Sequence, residues 1–342
     1  MLTSIHIKGF KGFKDTQIEP LRKVNVILGG QNVGKTSLLE AVYFGARSPN
    51  EMARLPSVFR LAEGHDTQRY LQAVFKGTEA LIQLTSVKRF KLRTWISSLA
   101  SKAEPGKLIG GVSEDGIKVD QYLDALGADF SSLDEAVEKL GLSAITPSTL
   151  FKSLDFADPL AVSVHLPDQM SAVQLFDKVV MSRKKKRLLD MLRGIEPRLE
   201  DMHSLSPDGE QRIYVELDGH ANALPLPQLG HGFSRLVYLY CSLLATEAKL
   251  ALIDEIENGI HYSSLPTLFQ GIQDIALKHD VQTMMTTHSW ECIRAAYNVF
   301  VDAGSLKDFQ LIRLEREGDN IRAVVINDEN LVTVMEAGYE VR

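Results

Sequence analysis

The segment that most constrains the fold of this chain is residues 29–36, which reads Gly-Gly-Gln-Asn-Val-Gly-Lys-Thr. It fits the phosphate-loop pattern G-x-x-x-x-G-K-[ST], which is informative only between a strand and a helix. Both neighbours are predicted here, because residues 23–28 are a candidate buried strand and residues 35–44 place apolar side chains at helical spacing. Glycines let consecutive N–H groups curl around an anion, and the following helix adds its positive end. The pattern therefore predicts a nucleotide-binding α/β domain.

The phosphate loop also predicts which residues contact a bound nucleotide. Lys35 would reach the β- and γ-phosphates, and the Thr36 hydroxyl would ligate Mg²⁺. The predicted nucleotide-binding residues are Gly29, Gly30, Gln31, Asn32, Val33, Gly34, Lys35, Thr36 and Ser37.

A second motif supplies the acidic partner that a phosphate-loop site requires for its metal ion. Residues 250–253 are apolar, and Asp254 and Glu255 follow them directly. At the end of a buried strand, Asp254 would hold Mg²⁺ through water, and Glu255 would orient and deprotonate the attacking water. His288 follows another β-like run and would sense the γ-phosphate by donating from a ring nitrogen. The predicted catalytic residues are Lys35, Glu255 and His288, and the predicted Mg²⁺ ligands are Thr36 and Asp254.

Composition is typical of a soluble globular protein. Of the 342 residues, 44% are apolar and 24% are charged, close to the usual values. No apolar run approaches the ~20 residues of a membrane helix, and residues 1–8 alternate where a signal peptide would be continuously apolar. Two cysteines, Cys241 and Cys292, lack metal spacing and indicate a reducing compartment. We therefore expect a cytoplasmic protein with no membrane partner, and its net charge of −6 restricts any nucleic-acid contact to a local patch.

Strand and helix patterns divide the chain into three parts. Two lobes, residues 1–96 with the phosphate loop and residues 209–342 with the acidic pair, alternate strands and helices. We predict an α/β fold in which these sequence-separated lobes form one core, with a mainly helical subdomain inserted at residues 97–208. The patterns in the insertion are a loop at 106–116, short helices at 120–126 and 133–140, and a long helix at 169–193.

Taken together, the motifs resemble a known family. The chain is similar to the ABC-type heads of RecF, SMC and Rad50 proteins at residues 5–13, 34–41, 254–255 and 286–289. Residues 257–261, 312–316 and 338–342 resemble the short stand-alone OLD-type (overcoming lysogenization defect) ATPases. Those proteins are often encoded beside a TOPRIM-type nuclease in bacterial anti-phage systems, PARIS among them. The resemblance covers about residues 1–95 and 210–342.

The resemblance implies a P-loop ABC-ATPase head, with ATP in preference to GTP and with Mg²⁺. It also implies hydrolysis at the interface of two heads, where a signature loop of one head faces the phosphates bound by the other. By position this loop is residues 229–235, in which a glycine replaces the usual serine. The residues implied to act in trans are Gly230, Gly232, Ser234 and Arg235.

Three further roles in this family have candidates in the chain. The glutamine that links ATP to conformational change would be Gln68, Gln72 or Gln83. Lys11 would approach the α-phosphate, or would instead be a solvated lysine of a turn. His261 would pack across the dimer.

A run of five basic residues has three interpretations. Consecutive residues of a helix spread over every face, so the run does not form a one-sided stripe. The simplest interpretation is the solvated tip or cap of a helical arm. The run would otherwise contact the phosphate backbone of DNA, or dock an acidic protein such as a DNA-mimicking phage trigger. These basic-run residues are Arg183, Lys184, Lys185, Lys186 and Arg187.

Three functional hypotheses follow. The first is an ATPase subunit of an anti-phage complex, which assembles with itself through its heads and controls a separately encoded, TOPRIM-type nuclease. On this hypothesis no nuclease activity is expected of this chain alone. The second is a RecF-like DNA-repair ATPase that binds DNA. The third is an ATP-gated scaffold with little turnover, which the glycine at the signature position supports.

Overall fold

The computed structural model describes residues 1–46, 79–86, 91–97, 107–114, 117–124, 159–162 and 169–337. Its strands are β1 (Leu2–Phe10), β2 (Phe13–Ile18), β3 (Val24–Leu28), β4 (Glu79–Ser86), β5 (Lys91–Ser97), β6 (Lys107–Glu114), β7 (Ile117–Asp124), β8 (Leu160–Val162), β9 (Leu199–Leu205), β10 (Arg212–Leu217), β11 (Leu224–Pro225), β12 (Leu250–Ile253), β13 (Gln282–Thr286), β14 (Phe309–Glu317) and β15 (Asn320–Ile326). Its α-helices are α1 (Lys35–Gly45), α2 (Gln169–Met181), α3 (Lys185–Arg193), α4 (His231–Ala245), α5 (Leu265–Lys278), α6 (Trp290–Asp302) and α7 (Asp328–Glu336).

The central sheet takes its strands from both ends of the chain. Its order is β15-β14-β3-β13-β12-β8. The neighbouring pairs from β14 to β8 are parallel, and only β15 is antiparallel to its neighbour. The strand that leads into the phosphate loop, β3, therefore lies between two strands of the C-terminal lobe. This arrangement confirms the predicted α/β fold, in which two sequence-separated lobes build one core.

Each face of the central sheet packs into a different hydrophobic cluster. In β12, Leu250 and Leu252 pack with α1, β1 and β2, whereas Ala251 and Ile253 pack with helices α2, α4, α5 and α6. Strands covered on both faces are expected to be continuously apolar, and all four residues of β12 are buried. The residue that follows, Asp254, therefore emerges at the carboxyl edge of a fully covered sheet, where ligands of open α/β sheets bind.

Two antiparallel sheets complete the described fold. The larger has the order β2-β1-β4-β5-β6-β7, and the smaller has the order β11-β10-β9. In the larger sheet, β4 pairs with β1 on one side and with β5 on the other.

Three sequence-based assignments in the middle of the chain are wrong. The loop at 106–116 and the short helix at 120–126 are instead the paired strands β6 and β7, because Ile117 and Val119 alternate with polar residues at the period of a strand. The long helix at 169–193 is two helices, α2 and α3, separated where Arg183 adopts a positive φ of 59°. The helix predicted at 133–140 lies outside the described residues.

Several elements from residues 97–208 are part of the head itself. Strand β8 pairs with β12, and β9 pairs with β10. Helix α2 contributes Val173, Phe176 and Val179 to the same hydrophobic cluster as α4. The division of the chain at residues 96 and 208 stays a prediction. The pairing of β8 shows that the middle segment supports β12, the strand that precedes Asp254.

The described ranges contain no helix that is both long enough and apolar enough to cross a lipid bilayer. Both cysteines, Cys241 and Cys292, are buried free thiols.

Candidate functional site

The phosphate loop connects β3 to α1, as its sequence predicts. Gly29, Asn32 and Gly34 have positive φ angles of 141°, 55° and 104°, so the loop curls back on itself in conformations that favour glycine and asparagine. A Cβ atom on Gly29 would lie 2.5 Å from the carbonyl oxygen of Leu314, and one on Gly34 would lie 2.7 Å from Cδ1 of Ile321. At Gly29 the backbone of β14 leaves no room for a side chain, and at Gly34 the positive φ is the stronger reason for glycine.

The remaining loop residues divide by exposure. The Lys35 ammonium group donates to the carbonyl oxygens of Gly29 and Gly30 at 2.8 and 2.9 Å. Val33 is buried and belongs to the hydrophobic cluster beneath the loop, so its side chain packs and only its backbone is left for a ligand. The exposed members of the loop are Gly30, Gln31 and Asn32, and Ser37 is partly buried.

The two predicted Mg²⁺ ligands lie next to each other. The Thr36 hydroxyl is 3.1 Å from each carboxylate oxygen of Asp254, and Asp254 is completely buried. The Thr286 hydroxyl donates to Oδ1 of Asp254 at 2.6 Å. Thr36 of α1 and Thr286 of β13, which are far apart in the chain, thus meet at the buried carboxylate that follows β12.

Glu255 has an unusual backbone. Its φ is +46°, a left-handed conformation that costs roughly 1–2 kcal/mol for a residue with a Cβ. Its N–H donates to the Thr286 hydroxyl at 2.8 Å, and its carbonyl oxygen accepts from Arg235 Nη2 at 2.9 Å. A conformation that is unfavourable in isolation is therefore held by hydrogen bonds on both sides of the residue.

His288 is paired with a glutamate to which the sequence assigned no role. Its Nδ1 is 3.1 Å from Glu257 Oε1, and its backbone N–H donates to the same oxygen at 2.9 Å. The His288 side chain is 64% exposed, whereas that of Glu257 is only 9% exposed. Glu257 Oε2 is buried and has no hydrogen-bond partner among the described residues. The sequence feature that could have indicated this role is the position of Glu257, a third acidic residue two positions after Glu255.

The signature-like loop opens α4. Gly230 is exposed, has a φ of 93° and caps the helix without a side-chain hydrogen bond. A Cβ on Gly232 would lie 2.4 Å from the carbonyl oxygen of Gly259, so this loop packs directly on the segment after the acidic pair. The Ser234 hydroxyl donates to the Gly230 carbonyl at 3.0 Å.

Arg235, which the resemblance implies acts in trans, lies inside its own chain. Arg235 is only 3% exposed, and its Nη2 donates to the carbonyl oxygens of Asp254 and Glu255 in its own chain, at 3.3 and 2.9 Å. Burial lowers the pKa of Arg235 below its ordinary value, against the opposing effect of the nearby Glu255, Glu257 and Asp254 carboxylates. Because its position in α4 directs it inward, Arg235 contacts Asp254 and Glu255 of its own chain.

Three of the five residues of the basic run bind groups within the fold, which leaves fewer of them to contact DNA or an acidic protein. Lys184 donates to the Leu244 carbonyl at the end of α4 at 2.7 Å. Lys185 pairs with Asp201 at 2.7 Å, and Arg187 pairs with Asp274. The two members exposed to solvent are Arg183 and Lys186. The run spans the end of the turn between α2 and α3 and the first three residues of α3.

The lesser candidates are distributed as follows. Lys11 forms an ion pair with Glu40 of α1 and lies 5.8 Å from the Phe10 ring centroid, so it is not a freely solvated lysine. Gln83 lies within β4 opposite His6 of β1, whereas Gln68 and Gln72 lie outside the described residues. His261 is exposed, with its ring 4.4 Å from that of Tyr262.

Comparison with known proteins gives three results. A family profile described as AAA ATPase domain matches residues 1–92 and 133–293. A Helicobacter pylori protein named ATP/GTP phosphatase is 23% identical in an alignment that is 372 residues long with its gaps. The alignment covers 97% of this chain and 100% of that protein. Two solved structures share the fold at 12% identity each.

The first of these structures is an SMC head bound to the C-winged helix domain of ScpA, with a TM-score of 0.59 over 97% of this chain and 99% of that one. The second is the SMC head domain from Thermotoga maritima, with a TM-score of 0.53 over 96% of this chain and 99% of that one. Since these matches span nearly the whole chain, they confirm the predicted head fold.

Proposed function

The chain belongs to the AAA ATPase domain family, and on that premise we propose that it binds ATP with Mg²⁺ and hydrolyses ATP to ADP and phosphate. The observation that carries this proposal is the contact between Thr36 and Asp254. It brings the hydroxyl of the phosphate loop and the carboxylate of the acidic strand together at 3.1 Å. Two motifs separated by most of the chain thereby form one site, as phosphoryl transfer requires.

The residues present fit Mg²⁺. This ion prefers oxygen ligands and is usually held by one or two protein oxygens together with phosphates and water. Thr36 and Asp254 supply a hydroxyl and a carboxylate of this kind, and Asp254 is buried and oriented by Thr286. No cluster of three or more His, Cys, Asp or Glu side chains suited to a metal exists in the described part of the chain. When bound, Mg²⁺ would neutralise charge on the β- and γ-phosphates.

The chain's own residues divide the remaining work. Lys35 already holds its ammonium group over the loop, and we propose that it exchanges the Gly29 and Gly30 carbonyls for phosphate oxygens. Glu255 accepts the proton of the attacking water. His288 is exposed and held by Glu257, and it contacts the γ-phosphate.

Hydrolysis is tested by measuring phosphate release and nucleotide binding on three variants. K35A should lose nucleotide binding, and E255Q should bind ATP but turn over at least about 100-fold more slowly, the usual contribution of a general base. K186A is the matched control: Lys186 is an exposed lysine outside the phosphate loop and the acidic pair. This variant should bind and hydrolyse ATP as the unmodified chain does. Full activity in both K35A and E255Q would refute the assignment.

We also propose that two copies meet through their heads and that the complex includes a protein partner. Gly230 and its neighbours open α4 at the surface, where a second copy would reach them. Support for a protein partner comes from the similar SMC head, which binds the winged-helix domain of ScpA. Light scattering should show a mass increase with ATP and Mg²⁺ that is greater in E255Q and absent in K35A.

The resemblance to stand-alone OLD-type ATPases supports a role in anti-phage defence, with a TOPRIM-type nuclease as the controlled partner. This proposal is tested by co-purification with a nuclease encoded beside it and by phage plaque counts with and without K35A. The RecF-like alternative requires DNA contact, and three of the five basic-run residues already bind groups within the fold. DNA binding that requires ATP and is lost in K186A would nevertheless favour it.

The scaffold alternative is favoured by Gly230, which lacks the hydroxyl of the usual signature serine. A scaffold would assemble with ATP while turning over very slowly. In that case E255Q would assemble and protect cells as well as the unmodified chain does.

A further inference from the structure

Arg235 is a buried cation that donates hydrogen bonds to backbone atoms of the acidic pair, Asp254 and Glu255. It lies in the first turns of α4, is 3% exposed, and donates from Nη2 to the carbonyl oxygens of Glu255 and Asp254. Its aliphatic part passes Gly259, whose Cβ position lies 3.9 Å from Arg235 Cδ. The helix that carries the signature-like loop therefore reaches the acidic strand of its own head.

An arginine at this position is costly unless its hydrogen bonds matter. Removing a guanidinium group from water is unfavourable, and an unbranched apolar side chain would fill the same space without that cost. Arginine adds a planar, permanently charged group that donates to the two carbonyl oxygens, which an apolar side chain cannot do.

The carbonyl of Glu255 is a meaningful target because of the conformation of this residue. With φ at +46°, Glu255 has a left-handed backbone conformation that residues other than glycine rarely adopt. The Thr286 hydroxyl holds the amide side, and Arg235 holds the carbonyl side. Strained backbone of this kind persists only where its surroundings over-determine it.

We propose that Arg235 is a positioning residue for Glu255: it fixes the left-handed backbone from which the Glu255 carboxylate reaches the attacking water. This inference rests on the proposed ATPase function. It reassigns a residue of the signature-like loop from contact with a second head to the construction of the catalytic centre in its own head.

The test compares R235K with R193K. Arg193 is a matched control, because it also donates to two backbone carbonyls, those of Leu199 and Glu200 at 2.9 and 2.8 Å, and its helix carries no residue predicted to bind nucleotide or to act in hydrolysis. R235K should lower kcat about 10- to 100-fold, the effect of losing a hydrogen bond from a charged group. Its KM for ATP should change less than about twofold, because the phosphate loop is untouched. R193K should leave both constants unchanged.

A double-mutant cycle distinguishes positioning from general structural support. In single-turnover measurements, R235K should cause no further loss in an E255Q background, because the residue it positions no longer acts as a base. An equal loss in both backgrounds, or an unchanged kcat in R235K, would overturn the inference. Thermal melting identifies any variant that fails to fold, and R235Q, which keeps a single neutral donor, then replaces R235K.

Amide hydrogen exchange supplies a readout that does not depend on turnover. The peptide covering residues 250–258 should lose protection in R235K and keep it in R193K, and unchanged protection in R235K would overturn the inference. Absence of Lys35-dependent ATP hydrolysis in the unmodified chain would instead refute the proposed function, while hydrogen exchange still decides whether Arg235 holds Glu255.

Discussion

Replacing Thr286 by valine should destabilise the protein far more than the same replacement three residues earlier in the same strand. The Thr286 hydroxyl donates to the Asp254 carboxylate and accepts from the Glu255 N–H. Thr283, in contrast, carries a buried hydroxyl with no hydrogen-bond partner among the described residues. Both side chains are fully buried in β13, so valine fits the space in each case.

The expected magnitudes follow from these contacts. Loss of a hydrogen bond to an ionised carboxylate costs about 1.5–3 kcal/mol, and an unsatisfied N–H adds about 1–3 kcal/mol when it is buried. Because Glu255 is only partly buried, water can reach its N–H, and we expect T286V to lower the free energy of unfolding by about 2–4 kcal/mol. T283V removes a hydroxyl that is buried without compensation, so it should be neutral or raise the free energy of unfolding by about 1 kcal/mol.

Equilibrium urea unfolding of the nucleotide-free protein provides the assay. The two variants should differ in the midpoint of unfolding and share the slope of the unmodified protein, since the surface exposed on unfolding is unchanged. Equal stability of T286V and T283V would refute the reasoning, because it would mean that the Thr286 hydroxyl does not hold the acidic pair.

Further predictions concern the histidine, the basic run and acid stability. E257A should lower kcat at least about tenfold because His288 loses its acceptor, whereas E257Q keeps an acceptor oxygen and should lose less than about threefold; equal losses in a phosphate-release assay would contradict this role. R187A should lower the free energy of unfolding by about 1–2 kcal/mol, because Arg187 pairs with Asp274, and K186A, at an exposed position, by less than about 0.5 kcal/mol. A thermal melt in which K186A is the less stable variant would contradict a structural role for Arg187. Although burial acts in the opposite direction, hydrogen bonds from two basic neighbours, one of them Arg187, hold the pKa of Asp274 below its ordinary value. The stability that Asp274 contributes is therefore present at neutral pH and lost as the pH falls below about 4, so D274N should destabilise the protein at pH 7 and approach the unmodified protein at pH 3 in urea titrations.

Short-range motifs carried most of what the sequence could predict. The phosphate loop, the apolar strand before Asp254 and the strand before His288 are each read from fewer than about twenty neighbouring residues, and their backbone setting is as expected. The meeting of Thr36 with Asp254 was also predictable, since both follow strands whose carboxyl ends share one edge of a parallel sheet.

Contacts that depend on tertiary packing were beyond the sequence. Arg235 is polar and next to a glycine-rich loop, so its inward orientation required knowledge of what packs on α4. The basic run looked like a single charged surface because the groups that bind it, Asp201, Asp274 and the Leu244 carbonyl, are distant in the chain. The strands β6 and β7 were missed because glycines and charged residues weakened their alternating pattern.

The position of β3 in the central sheet has a consequence for synthesis of the protein on the ribosome. The phosphate loop is translated early, but β13 and β14, which flank β3, and the Leu314 carbonyl and Ile321 side chain beneath the loop are translated late. These contacts around the loop therefore become available only after Asp254 and Glu255 have been translated, and pairing across so long a separation in sequence is expected to be slow.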